Sequence, residues 1–133
     1  MSVFVDTSGL LAVLDAGEDA HAKAARSWRD LLVSDEELVT TNYVVVETSA
    51  LVQHRMGFAA LKVLQEDVVP ALRMAWVDEA VHQAAVGTLL ATGRKHLSLV
   101  DCVSFAVMRL SGIGSAFTLD RHFKEQGFRC LPA

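Results

Sequence analysis

The chain has 133 residues, 52% of them hydrophobic and 21% charged, with two prolines and eight glycines; this composition excludes a disordered segment and suits one compact domain over 1–133, burying roughly two thirds of its unfolded surface. A formal net charge of -4 argues against broad attraction to nucleic acid, which rests on lysines and arginines displacing phosphate counterions, unless the negative charge is gathered where a metal cancels it. No basic-flanked leader precedes Asp6 and no uncharged apolar run approaches the ~20 residues of a membrane span, so a soluble, cytoplasmic protein without membrane contact is expected.

The elements alternate along the chain. "SVFV" is a β-branched and aromatic run ending at Asp6, and "TSGLLAVLDAG" after it has helical spacing and a glycine stop. "HAKAARSWRDLLVS" reads as an amphipathic helix with Ala24, Ala25, Trp28, Leu31 and Leu32 along one side, followed by the strand "ELVTT". The next helix carries Glu47 and ends at "RMG"; "FAALKVLQEDVV" is a further helix closed by Pro70, and "RMAWV" a strand. "DEAVHQAAVGTLLATG" is a helix that Asp78 can cap, and "SLVDCVSFAVMRLSG" another with glycine at its end. "IGSAFTL" is a strand leading to Asp120, and "RHFKEQG" and "RCL" supply a last short helix and strand. Strands that alternate with helices and read as continuous apolar runs predict a three-layer α/β sandwich, with a parallel sheet covered on both faces. Ligands in such sheets bind beyond the carboxyl ends of the strands, where the strand order reverses.

Four acids stand out. Asp6 and Asp120 follow strands and open helices, so each serves as readily as an N-cap. Asp101, three residues after Ser98, fits a capping box. Glu47 has no such account. Its helical neighbours Tyr43, Val44, Ala50 and Leu51 cannot pair with a charge, and an unpaired carboxylate on a core-facing stripe costs several kcal/mol. All four acids make sense together if they converge at one edge of the sheet around a hard divalent cation, which takes oxygen ligands. Thr7, Ser8 and Thr118 flank them with hydroxyls that either cap turns or orient water.

Other chemistries lack their residues. The five histidines show no H-E-x-x-H pairing, and Cys102 and Cys130 lie far apart, which fits reduced thiols and speaks against zinc or a disulfide. There is no P-loop, no dinucleotide fingerprint and no G-x-S-x-G elbow. A haloacid dehalogenase-type phosphatase would want a second aspartate where Ser8 stands.

The stretches "FVDTSGLLA", "NYVVVETSALV", "LSLVDCVSFAVM" and "FTLDRHFKEQGF", in that order over nearly the whole chain, resemble the PIN-domain family, and most closely its VapC-like toxins of prokaryotic toxin–antitoxin pairs. The resemblance implies a doubly wound α/β fold and a metal-dependent endoribonuclease, usually homodimeric and inhibited by a cognate antitoxin protein. It makes Asp6, Glu47, Asp101 and Asp120 the catalytic and metal-binding acids, with Ser8 and Thr118 in support, and Mg²⁺ or Mn²⁺ the cofactor. Asp101 and Asp120 are both candidates to take a proton from water. For RNA phosphate contact the candidates are Arg94, Lys95, Arg121 and Lys124, with His96 and His122 behind them. A housekeeping RNA- or DNA-processing nuclease of the same fold, or a non-catalytic binding module whose acids only cap helices, remains the alternative.

Overall fold

A computed structural model describes residues Met1–Ala133. Five short strands, β1 (Ser2–Val5), β2 (Glu37–Thr41), β3 (Arg73–Ala75), β4 (Ser115–Phe117) and β5 (Arg129–Leu131), form one sheet in the order β3-β2-β1-β4-β5. Every pairing is parallel, with Phe4 opposite Val39 on one side and Ala116 on the other. Val3, Phe4 and Val5 of the central strand are all buried. Successive strand residues face opposite sides, so their joint burial requires helices on both faces, and the expected three-layer architecture is what forms.

Helices α1 (Thr7–Leu14), α2 (His21–Val33), α3 (Asn42–Met56), α4 (Phe58–Val63), α5 (Glu79–Thr92), α6 (Leu99–Leu110) and α7 (Arg121–Glu125) connect the strands. The chain builds outward from β1 to β2 and β3, then returns to lay β4 on the other side of β1. The order therefore reverses between β1 and β4, and the loops after these two strands diverge there, leaving a crevice at their carboxyl ends.

Four expectations change. On α2 the buried stripe is Ala24, Trp28 and Leu31, whereas Leu32 is exposed; the core is reached by i, i+4 and i+7 spacing, and Leu32 falls one position beyond that face. The helix expected over "FAALKVLQEDVV" stops being α-helical at Val63 and continues as a π turn (Leu64–Val68) and a 3₁₀ turn (Val69–Ala71). Pro70 has no N–H to donate to Glu66, and the preceding ladder widens so that Val69 N–H reaches Leu64 O. The strand expected over "RMAWV" ends at Ala75 and leaves Trp76 exposed. The strand expected over "IGSAFTL" covers only Ser115–Phe117, so Thr118 is the first residue past its end and Asp120 the third.

Close packing beneath the crevice fixes its geometry. A Cβ on Gly9 would stand 2.7 Å from the Phe117 carbonyl oxygen and 2.6 Å from its ring, so only glycine lets α1 lie directly on the end of β4. Thr48 Oγ1 donates to Thr7 Oγ1 at 3.0 Å, which ties α3 to α1. Asn42 Oδ1 accepts from Val77 N–H at 2.8 Å and ties the start of α3 to the loop that follows β3.

Candidate active site

The four acids meet in the crevice. A cavity of about 290 Å³ is lined by Asp6, Glu47, Asp101 and Asp120 together with Thr7, Ser8, Leu11, His96 and Ser98. Each acid arrives by a different route: Asp6 directly after β1, Glu47 from the second turn of α3, Asp101 from the first turn of α6, and Asp120 from the loop after β4. Leu11 is the single apolar residue among the nine, so the chemistry available is that of carboxylates, hydroxyls and one imidazole.

The capping readings and the convergence hold together. Asp6 caps α1, Asp120 caps α7 by accepting His122 N–H at 2.9 Å, and Ser98 and Asp101 form a reciprocal capping box. A cap uses one carboxylate oxygen and leaves the other free. At Asp6 the division is sharp. Ser8 Oγ donates to Oδ2 at 2.8 Å, Thr118 Oγ1 donates to the same atom at 2.9 Å, and Oδ1 accepts from no protein donor. Each hydroxyl has one proton and both are committed to Asp6. The 3.0 Å approach of Ser8 Oγ to Thr118 Oγ1 is therefore held by further donors, Leu119 N–H on the first and Asp120 N–H on the second.

Electrostatics mark the same residues. Burial pushes Asp6 up to about 6; hydrogen bonds from Ser8 and Thr118 oppose the rise, and the charges of Asp101 and Asp120 add to it. Burial likewise raises Asp101, against the backbone N–H of Ser98, with Asp120 contributing repulsion. Both acids are less willing to ionise than free carboxyls, first because burial strips water from the charged form and then because neighbouring carboxylates repel it.

The premise about Glu47 needs correction, although its location does not. The core stripe of α3 is Val44, Thr48 and Val52, all with no exposed surface. Glu47 lies beside that stripe, half-exposed at the cavity wall, and makes no hydrogen bond or ion pair. Its charge is not stranded in the core; water reaches it, and it stands free for a ligand.

His122 is the feature the sequence understates. It is buried, and its Nδ1 lies 2.8 Å from Asp120 Oδ1 but out of line for an N–H hydrogen bond. Ligand atoms of Asp101, Asp120 and His122 all fall within 4.8 Å of one another. The signal for it was its place two residues after an acid, on the face of α7 that also buries Phe123. The basic candidates separate. Arg121 and Lys124 border Asp120, while Arg94 is drawn away to Glu125 at 3.0 Å and Lys95 lies in the exposed loop between α5 and α6.

A divalent cation fits this donor set. Four carboxylates around one cavity, an unbonded Asp6 oxygen and two acids held above their ordinary range by burial, with neighbouring carboxylates adding to the rise, are what a hard cation with oxygen ligands would relieve. Zinc would want more than the one or two imidazoles present. Cys102 and Cys130 are both free thiols.

Residues 3–129 match the profile of the family described as PIN domain. The 23S rRNA-specific endonuclease VapC20 of Mycobacterium tuberculosis is 33% identical over 127 residues, which is 95% of each chain. The chain belongs to the PIN domain family. A second PIN relative from the same organism, ribonuclease VapC26, is 31% identical over 123 residues, covering 91% of this chain and 89% of that protein. The crystal structure of M. tuberculosis VapC20, described as a sarcin-ricin loop cleaving toxin, superimposes with a TM-score of 0.85 at 32% identity, with 95% of both chains covered. FitAcB from Neisseria gonorrhoeae matches at TM-score 0.69 and 16% identity over 98% of this chain and 96% of that one, which speaks for the PIN fold alone.

Proposed function

We propose that the chain is a divalent-metal-dependent endoribonuclease acting as one PIN nuclease domain over its full length, and that it is the toxin of a toxin–antitoxin pair. The convergence of Asp6, Glu47, Asp101 and Asp120 on one cavity carries this reading, and the 33% identity to a protein named as an rRNA endonuclease supports RNA as the substrate. The four acids would hold Mg²⁺, or Mn²⁺ in its place. When bound, such a cation supplies Lewis acidity toward the scissile phosphate and lowers the pKa of water.

The chain's own residues do the rest. Ser8 and Thr118 pin Oδ2 of Asp6, so its second oxygen keeps one orientation. The capping box fixes Asp101 against rotation at the start of α6. Glu47, which makes no ion pair, presents an unengaged carboxyl group at the water-accessible side of the cavity. Asp101 and Asp120 are the groups within reach of each other that can take a proton from the attacking water. His122, two residues on, restrains Asp120 through its backbone N–H, which donates to Oδ1 at 2.9 Å.

A capping-only role is disfavoured by Glu47, which caps nothing. The partners follow from the same reading: an RNA substrate, a cognate antitoxin protein and a second copy of the chain in a homodimer. No helix is long and apolar enough to cross a membrane, in keeping with a cytoplasmic site of action. The deciding experiment compares wild type with Asp101→Asn on a labelled RNA, with Mg²⁺ and with EDTA. Cleavage should need both Mg²⁺ and the aspartate, while circular dichroism of the variant stays native. Full cleavage by a folded, contaminant-free Asp101→Asn protein would remove the assignment, and a substrate lacking the 2′-hydroxyl separates a ribonuclease from a DNA-directed enzyme.

A further inference from the structure

Next to the acidic cavity lies a larger one of opposite character. It has a volume of about 540 Å³, runs between α7 and β5, and shares Asp120 with the acidic cavity. Its walls include Arg121, Lys124, Arg129 and Phe128. No other cavity of the molecule is lined by more than one lysine or arginine, so in a chain of net charge -4 this is where positive charge is concentrated.

The cations there are available. Lys124 and Arg129 have no carboxylate within ion-pair distance, and Arg121 reaches Glu125 only at 3.8 Å with its side chain 83% exposed. Arg94 differs: at 3.0 Å from Glu125 it draws that acid away from the groove, and Arg94 is the first cause of Glu125's lowered pKa. The three groove cations also come from two separate elements. Arg121 and Lys124 stand three positions apart on α7, and Arg129 stands on the edge strand opposite. A merely solvated helix face would not recruit a strand residue to the same hollow.

We propose that this groove holds the single-stranded RNA backbone on one side of the scissile phosphate, with Lys124 and Arg129 on successive phosphates and Arg121 at the rim. The inference rests on the ribonuclease reading and adds a direction to it. A polyanion entering a four-carboxylate site is repelled wherever a bound cation does not screen it, so the phosphates flanking the cut need positive charge close by. The α7–β5 groove is the continuation of the site that provides it, and Asp120 stands at the junction of the two.

The test uses the full chain carrying Asp101→Asn, so that RNA binds without being cut, and a short fluorescein-labelled single-stranded RNA without self-complementarity. Anisotropy titrations over a range of KCl give the slope of log affinity against log salt. Removing one phosphate contact to single-stranded RNA flattens that slope by about 0.7. Lys124→Ala with Arg129→Ala should flatten it by about 1.4 and weaken binding roughly tenfold, Lys124→Arg with Arg129→Lys should restore both, and Arg26→Ala with Arg29→Ala on α2 should change neither. In the cleaving protein the double alanine variant should raise KM and leave kcat nearly unchanged. An unchanged slope with native folding, or no RNA binding at all, overturns the proposal. So does a hexaglutamate peptide whose binding needs Lys124 and Arg129 when RNA binding does not, because the groove would then serve an acidic protein segment. The two readings fail separately: cleavage that needs Asp101 beside RNA binding indifferent to Lys124 and Arg129 sinks the groove alone, whereas groove-dependent binding without any cleavage sinks the ribonuclease.

Discussion

Thr118 Oγ1 donates a hydrogen bond to Asp6 Oδ2 across 2.9 Å, joining the carboxyl ends of β4 and β1 where the strand order of the sheet reverses. The same hydroxyl accepts Asp120 N–H at 3.0 Å. One buried threonine thus orients two of the four acids. Thr118→Val keeps the shape, removes a donor from Asp6 and orphans Asp120 N–H. A hydrogen bond to a charged group contributes about 1.5–3 kcal/mol, so the valine variant should push Asp6 further above its ordinary range and bind Mg²⁺ at least roughly tenfold more weakly. Thr118→Ser should retain most of the affinity. Isothermal titration with Mg²⁺ checks this, and equal affinities for the valine and serine variants would show that the hydroxyl does not prepare the site.

Gly9 and Gly87 should respond to alanine with opposite signs. At Gly9 the new methyl meets Phe117 at 2.6–2.8 Å, part of it backbone that cannot yield, and overpacking of this kind costs about 1–3 kcal/mol. At Gly87, exposed within α5, nothing lies within 4 Å of the added carbon. Alanine there should stabilise by up to about 1 kcal/mol through helix propensity. Urea unfolding of the two variants measures both, and a Gly9→Ala protein as stable as wild type would mean that α1 can move off β4.

The buried acids give the metal-free protein an inverted pH response. Asp6 is raised from 3.8 to about 6, so between those values the native state keeps a proton that the unfolded chain has already released. Fewer protons bound in the unfolded state means that stability falls as pH rises. The contribution is fully present below the ordinary carboxyl range and is lost as pH climbs through about 6, for a total of roughly 3 kcal/mol at most. Asp101 is shifted in the same direction. Denaturant melts in EDTA should show this decline, Asp6→Asn should flatten most of it, and saturating Mg²⁺ should do the same because a cation favours the ionised form. Identical pH slopes for wild type and Asp6→Asn would separate the decline from Asp6.

Much of this architecture was legible because the local signals agree with one another. The run "SVFV", the caps at Asp6, Ser98 and Asp120, and the strand–helix alternation each specify one element, and only a doubly wound sheet satisfies them together. What stayed illegible depends on long-range contacts. The valines around Glu47 suggest a core-facing acid, but α3 buries Val44, Thr48 and Val52, a stripe half hidden from pattern reading because one member is a threonine hydrogen-bonded to Thr7. Arg94 looks free until Glu125, 31 positions away, is folded beside it. Arg129 sits in a strand of three residues whose place beside α7 nothing local announces. The π turn at Leu64–Val68 follows from a single missing N–H and has no periodicity of its own.

Glu47 and Asp101 should behave differently without metal and alike with it. Glu47 has no protein partner, so Glu47→Gln removes a charge from a crowded cavity and breaks no contact; the metal-free variant should melt at or slightly above the wild-type temperature. Asp101 accepts Ser98 N–H at 3.0 Å within its capping box. An alanine there orphans that donor and should cost about 1 kcal/mol, whereas Asp101→Asn, which keeps an acceptor oxygen, should cost less. Mg²⁺ at roughly ten times its dissociation constant stabilises the wild type by about 1.4 kcal/mol through mass action. The Gln, Asn and Ala variants should each lose most of that gain, because each removes one carboxylate from the cation's donors. Thermal melts of the four proteins, with Mg²⁺ and with EDTA, read out both effects. A Glu47→Gln protein that is clearly destabilised in EDTA and still gains fully from Mg²⁺ would place Glu47 outside the metal site and leave three aspartates to hold the cation.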